Sequence, residues 1–388
     1  MKRGYKLRIY PTKSQEEILK KTIGCCRFVY NNALALRRDA FKNGKKMNYA
    51  ASSRAMTQLC KQLETEWLRE VSYVAIQQSL RNLETSFTNF FKKRSRYPKF
   101  KKKKNGGSAK FVKTGFRLKD KSFFVAKIKK PIRVVWSFDL PSEPSSCVVS
   151  QNLSGQWFVS FVCETSVEML PKTDKRIGID LGIETFATLS DGLKIKQPDS
   201  IRKMRRKVAR AQRSHSRKKK GSKNREKARI KTARISQKIV NIRNDFQQKL
   251  STQLIRENQT IVIEDLTVSS MLKKGNRKLA RLIGEQGWYS FRRMLEYKSD
   301  WYGRELIVID RFAPTSQLCN SCGKTNKVSL NKRSVKCGCG VTYDRDVNAA
   351  KNILAVGTTV SACGADVRLL DTEKRPVLKQ EVAELVPG

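Results

Sequence analysis

The chain has 388 residues, of which 82 are Lys or Arg and 34 are Asp or Glu, giving a formal net charge of +48. A hydrophobic fraction of 39% excludes a wholly disordered basic tail, and the length suggests two to four domains. No apolar run reaches the ~20 residues that a membrane-spanning helix needs, so we expect no membrane association. Positive charge spread along most of the chain favours a long path for nucleic acid.

The only histidine, His215, lies in a basic run. A histidine-based catalytic triad and a site with several histidine ligands are therefore excluded. If the protein is an enzyme, its chemistry must come from carboxylates, cysteines or a metal ion.

The first third of the sequence predicts a strand followed by helices. Apolar and charged residues alternate over 1–12, as in a strand. Ser14 and Glu17 have the spacing of a capping box, which predicts that a helix opens there. Apolar residues recurring at steps of three and four predict a second helix over about 72–93. We therefore expect a helical domain over 13–109.

Residues 110–170 change to an alternating, β-rich pattern interrupted by Pro and Gly. This pattern predicts a small antiparallel sheet or barrel. If the strand within 1–12 completes it, the helical segment is an insertion into the barrel.

After Pro171 the sequence predicts a mixed α and β domain. Short apolar strands are expected within 176–192, at 260–266 and at 305–310, and their continuous apolar runs are typical of strands covered on both faces. A long helical hairpin is expected over 201–256, broken near Gly221.

Three acidic residues occupy informative positions in this domain. Asp180 and Glu264 each end an apolar strand, and Asp346 opens a helix. Any one of them alone would more often cap a strand or helix at the surface. Together they favour a site where carboxylates converge on divalent cations, since two Mg²⁺ ions can activate water against a phosphodiester. Mn²⁺ is an alternative ion.

Two close cysteine pairs predict a structural zinc ribbon over 313–344. The ligands would be Cys319, Cys322, Cys337 and Cys339, because zinc favours four thiolates in a tetrahedron. The fourteen residues between the two pairs suit a small hairpin. Four cysteine ligands leave no open position, so a catalytic zinc is not expected.

The segment 201–234 is strongly basic, with Glu226 as its single acid. A solvated helix surface is the simpler interpretation, but such surfaces usually alternate in sign. We therefore expect phosphate contacts there. Tyr97 and Phe100, among lysines, either stack on bases or form a local hydrophobic cluster. The expected nucleic-acid-binding residues are Arg202, Lys203, Arg205, Arg206, Lys207, Arg210, Arg213, Arg217, Lys218, Lys219 and Lys220.

The order of the motifs GIDLG, IVIEDL and a four-cysteine ribbon leading into DRDVNAAKNI resembles the TnpB family, nucleases of small insertion sequences related to type V CRISPR effectors. The resemblance implies an α+β multidomain protein. Its parts would be a wedge-like β-barrel (1–12 and 110–170), a helical recognition insertion (13–109), a RuvC-like RNase H fold nuclease domain (171–312 and 345–362), a zinc-ribbon insertion (313–344) and a flexible tail (363–388).

The resemblance also implies roles for particular residues. Asp180, Glu264 and Asp346 match the family's catalytic, metal-binding carboxylates, while Asp344 is the better candidate for a structural role. The four cysteines match the zinc ligands, although the second pair is shorter than in the family. The implied activity is RNA-guided cleavage of double-stranded DNA beside a short transposon-adjacent motif. The implied partners are that DNA and a guide RNA transcribed from the transposon end, with one protein per guide in the cytoplasm or on the nucleoid.

Three alternatives remain open. An RNA-guided DNA-binding repressor would not cleave, although the presence of all three acids disfavours it. A DNA transposase could use similar carboxylates for strand transfer. A ribosome-like RNA-binding protein with a zinc ribbon would leave the acids unexplained.

Overall fold

The computed structural model describes residues 1–274, 276–326 and 333–362, which fall into two compact units. The first unit covers Met1–Ser166 and the second begins at Val167. The tail predicted after 362 lies outside the described residues. Within the described part of the chain, every helix is too short or too polar to cross a membrane.

The first unit contains a group of helices between its first and second strands. Thr12 caps the first of them: its side chain accepts a hydrogen bond from the Gln15 amide, and the Gln15 side chain accepts one from the Thr12 amide. The predicted Ser14 cap is therefore wrong, because Thr12 already has the extended backbone of a cap directly after Pro11. The helices are α1 (Lys13–Lys42), α2 (Tyr49–Leu59) and α3 (Tyr73–Phe91).

The strands of this unit form a five-stranded antiparallel sheet in the order β2-β6-β7-β1-β5, with β3 and β4 in a separate hairpin. A single bridge between Phe123 and Ile132 connects that hairpin to the residues before β5. The strands are β1 (Lys2–Tyr10), β2 (Gly107–Val112), β3 (Phe116–Lys119), β4 (Ser122–Val125), β5 (Arg133–Val135), β6 (Ser146–Gln151) and β7 (Trp157–Glu164).

One face of this sheet forms the core of the unit. Leu7, Val159 and Val149 lie side by side on β1, β7 and β6, and all three are buried. Ile23 of α1 and Ala75 of α3 belong to the same apolar cluster, so both helices cover this face.

The second unit is built on a five-stranded sheet in the order β10-β9-β8-β11-β12. β8, β11 and β12 are parallel, whereas β9 and β10 are antiparallel to their neighbours. The strands are β8 (Arg176–Asp180), β9 (Ala187–Leu189), β10 (Lys194–Ile195), β11 (Thr260–Glu264) and β12 (Glu305–Ile309). The helices are α4 (Asp199–Ser216), α5 (Lys223–Glu257), α6 (Val268–Lys274), α7 (Arg277–Gln286), α8 (Trp288–Tyr302) and α9 (Arg345–Ala362).

Helices cover both faces of the parallel strands, as their continuous apolar runs predict. Ile179 and Ile263 pack with residues of α5 and α8 on one face. Val262 packs with Ile353 of α9 on the other.

Two glycines let α9 approach the sheet closely. A Cβ added at Gly178 of β8 would lie 2.2 Å from the carbonyl oxygen of Ala350, and one at Gly357 would lie 2.4 Å from a Val262 methyl. Both distances are far below any real carbon contact, so the spacing of helix and sheet requires glycine at both positions.

A small hairpin precedes α9, formed by β13 (Ser334–Lys336) and β14 (Thr342–Asp344). The sequence predicts a hairpin between Cys322 and Cys337. Residues 327–332 of that segment lie outside the described part, so this hairpin stays a prediction. Cys337 and Cys339 lie in the turn between β13 and β14.

Candidate active site and zinc centre

Asp180 and Glu264 lie at the carboxyl ends of adjacent parallel strands. Ile179 pairs with Ile263, so the two acids that follow are neighbours, with backbones ~4.8 Å apart. Their side chains share the face of Gly178 and Val262, because alternate residues of a strand point the same way. Both acids therefore face α9.

The close packing of α9 brings Asp346 to the same end of the sheet. Asp346 lies one helical turn before Ala350, and Asp180 lies two residues beyond Gly178, which contacts Ala350. Those steps are both ~6 Å, so the two acids reach the same level. Asp346 is buried, with 8% of its surface exposed.

Asp344 fixes the start of this helix. Its Oδ1 accepts hydrogen bonds from the amides of Asp346 and Val347, both at 3.1 Å, and its other oxygen pairs with Lys194 at 2.6 Å. Asp344 is thus a helix cap, in agreement with the structural role expected for it.

The acids influence one another electrostatically. Burial, followed by the charge of Asp346, raises the pKa of Asp180 to about 6, although Arg345 and Arg333 oppose the shift. Burial, followed by the charge of Asp180 and then Asp265, raises the pKa of Glu264 to about 7. Such mutual destabilisation of the charged forms is what a bound cation would relieve.

Arginines occupy part of the space near these acids. Arg333 pairs with Asp346 and, at 2.5 Å, with Glu184, and Arg345 lies 3.5 Å from Asp346. Among the described residues, only the four cysteines bring three or more ligand atoms within 4.8 Å of one another, so the three carboxylates are neighbours without being gathered that tightly. The sequence offered no signal for Arg333, because its partners are distant in the chain.

The four predicted cysteines form one cluster. The Sγ atoms of Cys319 and Cys339 are 4.0 Å apart, and those of Cys322 and Cys337 are 3.6 Å apart. Four thiolates ~2.3 Å from a zinc ion have an S–S separation of ~3.8 Å, which these distances match. The Cys339 amide and then the Asn326 amide, whose nitrogen is 3.3 Å from Cys337 Sγ, lower the pKa of Cys337 to about 6. The residues present fit zinc.

Two asparagines of α9 tie the first cysteine loop to the helix that carries Asp346. Asn348 Oδ1 accepts from the Asn320 amide at 2.9 Å, and Asn348 donates to the Leu318 carbonyl. Asn352 donates to the carbonyls of Thr315 and Leu318, both at 2.8 Å, and is buried. Sequence reasoning missed this clamp.

The predicted basic residues lie on α4 and in the turn that follows it. Most are exposed, but Arg205 is partly buried and pairs with Glu285 of α7, so it anchors the hairpin instead of facing solvent. Lys207 shares a cavity of about 640 Å³ with Lys227, Lys231 and Lys238 of α5. Lys227 and Lys231 lie within the basic segment 201–234 predicted to contact phosphates, and Lys238 extends that surface beyond it.

Tyr97 takes part in a local aromatic cluster. Its ring meets those of Phe87 and Phe90 edge-on, with centroids 5.7 and 5.2 Å away. Arg38 lies over the Phe100 ring at 5.4 Å. Of the two predicted roles of Tyr97, base stacking or a local hydrophobic cluster, the structure therefore shows the cluster.

Comparison with known families matches three stretches of the chain. Residues 160–275 match the family described as "Probable transposase", and residues 288–353 match "Cas12f1-like, TNB domain". Residues 1–46 match "Helix-turn-helix domain", where this chain forms one strand and one long helix.

Two relatives that match nearly the whole chain show which family it belongs to. A Streptomyces pristinaespiralis protein named as an RNA-guided DNA endonuclease is 48% identical over 373 residues, covering 95% of this chain and 92% of the relative. The Escherichia coli protein InsQ, named likewise, is 35% identical over 402 residues, covering 99% of this chain and 98% of its own. The chain belongs to the TnpB family. Its fold is similar to that of the protein in the solved "Cas12f1-sgRNA-target DNA complex", at 17% identity and a TM-score of 0.54, covering 88% of this TnpB chain and 83% of the other.

Proposed function

We propose that this TnpB protein is an RNA-guided DNA endonuclease that cleaves double-stranded DNA beside a short transposon-adjacent motif. The observation that supports it best is the meeting of Asp180, Glu264 and Asp346 at one end of the second unit's sheet, under α9. Burial and the charge of Asp346 raise the pKa of Asp180, and burial and the charge of Asp180 raise that of Glu264. Acids placed in this way form a site for cations, and a repressor or a ribosome-like protein has no use for one.

Asp180, Glu264 and Asp346 would hold two Mg²⁺ ions, or Mn²⁺ in their place. The fit rests on hard carboxylate ligands at adjacent strand ends, whose pKa values are raised by burial and then by a neighbouring carboxylate, Asp346 for Asp180 and Asp180 for Glu264. When bound, such ions lower the pKa of water and stabilise the leaving oxygen of a phosphodiester.

The residues of the chain then have distinct tasks. The ionised carboxylates of Asp180 and Glu264 are fixed by their strands, so they need little rearrangement to bind metal. Asp346 is fixed by the α9 cap and carries Arg333 as a counter-charge. A guanidinium binds phosphate as well as carboxylate, so Arg333 is placed to exchange Asp346 for the phosphate of the cleaved strand.

The cysteine cluster would hold a structural Zn²⁺. All four positions are filled by thiolates, which leaves the ion closed to substrate. Its task is to keep the loops around Asn320 and Arg333 folded beside α9.

The basic residues would hold the guide RNA and its heteroduplex with the target strand through their phosphates. Specificity for the target then comes from base pairing, and the protein needs distributed positive charge more than base contacts. We propose one protein per guide RNA. The exposed predicted residues of α4 and the following turn, and Lys227, Lys231 and Lys238 of α5, are the candidates.

Replacing one strand-end acid tests this function. Asp180→Asn should lower the rate of target cleavage by about 10³-fold or more, since it removes a charged ligand and little volume. Bound RNA and target binding, measured by gel shift, should be retained. Asp174→Asn, an exposed acid just before β8, makes the same charge change and should cut normally.

Normal cleavage by folded Asp180→Asn protein would overturn the site. Joining of transposon ends by the protein without RNA would favour a transposase instead.

A further inference from the structure

The carboxylate of Glu264 differs from that of Asp346 in how it is held. Asp346 is paired with two arginines, whereas among the described residues no ion pair or hydrogen bond involves the Glu264 side chain. Its position therefore depends on the backbone at the end of β11, where the chain leaves the sheet towards α6. Backbone at the end of an element opens more readily than backbone inside it, so a metal ligand placed there needs a further restraint.

Asp265, the next residue, joins this strand end to two other segments. Its side chain points to the face opposite that of Glu264, because neighbours in an extended chain alternate. On that face its Oδ1 pairs with Arg292 of α8, and its Oδ2 pairs at 3.1 Å with Arg311, two residues after β12. Its amide also donates to the Ile309 carbonyl at 3.0 Å. Both oxygens of Asp265 are therefore paired, and the residue bridges α8 and the end of β12.

The two arginines of this bridge have further partners. Arg292 Nε lies 3.1 Å from Glu296, one turn along α8, and Glu296 is buried. Arg311 Nη1 donates to the Thr267 hydroxyl at 2.6 Å, so it also holds the residue just before α6. The side chains of Asp265 and Arg292 are 27% and 25% exposed. Pairs that are partly removed from water and share partners in a network contribute more than isolated surface pairs.

Asp265 is poorly placed to bind the catalytic ions itself. Its carboxylate lies on the α8 side of the sheet, whereas Asp180 and Glu264 face α9. To reach the α9 side it would have to leave both arginines and reverse the alternation of the chain. Any effect of Asp265 on metal binding should therefore pass through the position of Glu264.

We propose that Asp265, held by Arg292 and Arg311, is a positioning residue that fixes the Glu264 carboxylate for metal binding. This inference rests on the proposed function, which supplies the metal site. The pairs with α8 and with the segment after β12 restrain Asp265 from two sides, and Glu264 is one residue away. Residues that orient a metal ligand from outside the site typically contribute 10- to 100-fold in metal affinity.

Metal binding in the absence of DNA tests this inference. The probe is Mn²⁺, whose free form is counted by electron paramagnetic resonance, and Asp180→Asn protein gives the baseline without the carboxylate site. Asp265→Asn keeps the volume but removes the charge that holds both arginines, so it should weaken Mn²⁺ binding roughly 10- to 100-fold. Cleavage should fall at limiting Mg²⁺ and recover at high Mg²⁺, since every ligand is still present.

Removing an arginine separates positioning from direct metal binding. Arg292→Gln should weaken Mn²⁺ binding as Asp265→Asn does, and the double variant should bind no more weakly than the weaker single variant, because both changes break one bridge. If Asp265 instead bound the metal, Arg292→Gln would release its carboxylate and tighten binding. Tighter Mn²⁺ binding by Arg292→Gln protein would therefore overturn the inference.

Two further variants control for charge and folding. Asp245→Asn removes the same charge at an exposed acid of α5 that pairs with Lys249, and Arg256→Gln makes the arginine change at an exposed position of the same helix. Both should bind Mn²⁺ as the wild-type protein does. The urea midpoint and the zinc content verify that each variant is folded.

Unchanged Mn²⁺ binding by folded Asp265→Asn protein would also overturn the inference, and it would leave the nuclease assignment intact. Wild-type protein that binds no more Mn²⁺ than Asp180→Asn protein would overturn the proposed carboxylate site as well.

Discussion

The second unit holds two sets of metal-ligand candidates that differ in how far they are assembled. The four cysteine sulfurs lie within 4.8 Å of one another at separations close to those of a zinc tetrahedron. The three carboxylates are neighbours, yet they are not gathered that tightly, and Asp346 is paired with Arg333. The cysteine set is complete within the protein, whereas the carboxylate set is not.

The difference follows from what each set has to do. A structural ion needs a closed shell of ligands supplied by one short segment, and two tight turns provide it. A catalytic ion must also accept water and phosphate, so the protein supplies only part of its shell. Ligands from two strands and one helix leave that room.

Of the changes that test this comparison, replacing a cysteine of the cluster should have the largest effect on the cleavage rate. We expect Cys337→Ser to lose its zinc and to lower cleavage by about 10²-fold, because the loop held by Asn348 and Asn352 would no longer fix α9. Zinc content by atomic absorption and the cleavage rate are the measurements. Cys60→Ser, at a thiol outside the cluster, should keep both. Full zinc occupancy in Cys337→Ser would contradict the four-cysteine site.

Changing the pH, which titrates the carboxylate set, should have the next largest effect on the cleavage rate. Since the pKa values of Asp180 and Glu264 are raised to about 6 and about 7, metal must displace protons from them below pH 7. At limiting Mg²⁺, cleavage should rise with pH from about 5.5 to 7.5, by up to about tenfold per unit for each proton displaced. The acid limb should move to lower pH as Mg²⁺ increases, and an acid limb independent of Mg²⁺ would contradict the carboxylate site.

The same shifts fix the sign of a stability change in metal-free protein. The folded state holds these protons more tightly than the unfolded state, so the free energy of unfolding should fall as pH rises from about 4 through about 7. Urea midpoints measure it, and the double variant Asp180→Asn, Glu264→Gln should remove most of this slope.

Removing the hydrogen bonds by which Asn352 joins the two sets should have the smallest effect on the cleavage rate. Asn352→Leu keeps the volume but leaves the carbonyls of Thr315 and Leu318 without their donor. We expect cleavage to fall about tenfold with zinc retained. Lys351→Ala, at the exposed next position of α9, should have no effect. If the Asn352→Leu variant cleaves as fast as the wild-type protein, the two sets work independently.

Local patterns in the sequence predicted the elements of the second unit well. Asp180 and Glu264 do end apolar strands, and helices do cover both faces of them, because burial imposes a continuous apolar run. The hairpin of α4 and α5 followed from periodicity and Gly221.

Contacts between distant segments were not predictable in the same way. Arg333 and Asn352 act on partners that only tertiary packing brings near, and neither residue type is unusual in its own segment. Ser14 with Glu17 has the spacing of a capping box, but Thr12 with Gln15 has the same spacing and forms the cap. Register and packing, which set these outcomes, are not encoded in single positions.

The contact at Gly178 suggests how to inactivate this protein without removing an acid. A methyl group there would clash with the Ala350 carbonyl and push the start of α9 away from the sheet. Asp346 would move with the helix, away from Asp180. Gly178→Ala would therefore give a protein that binds DNA and keeps every carboxylate, but in which the carboxylates no longer lie close enough to cleave it.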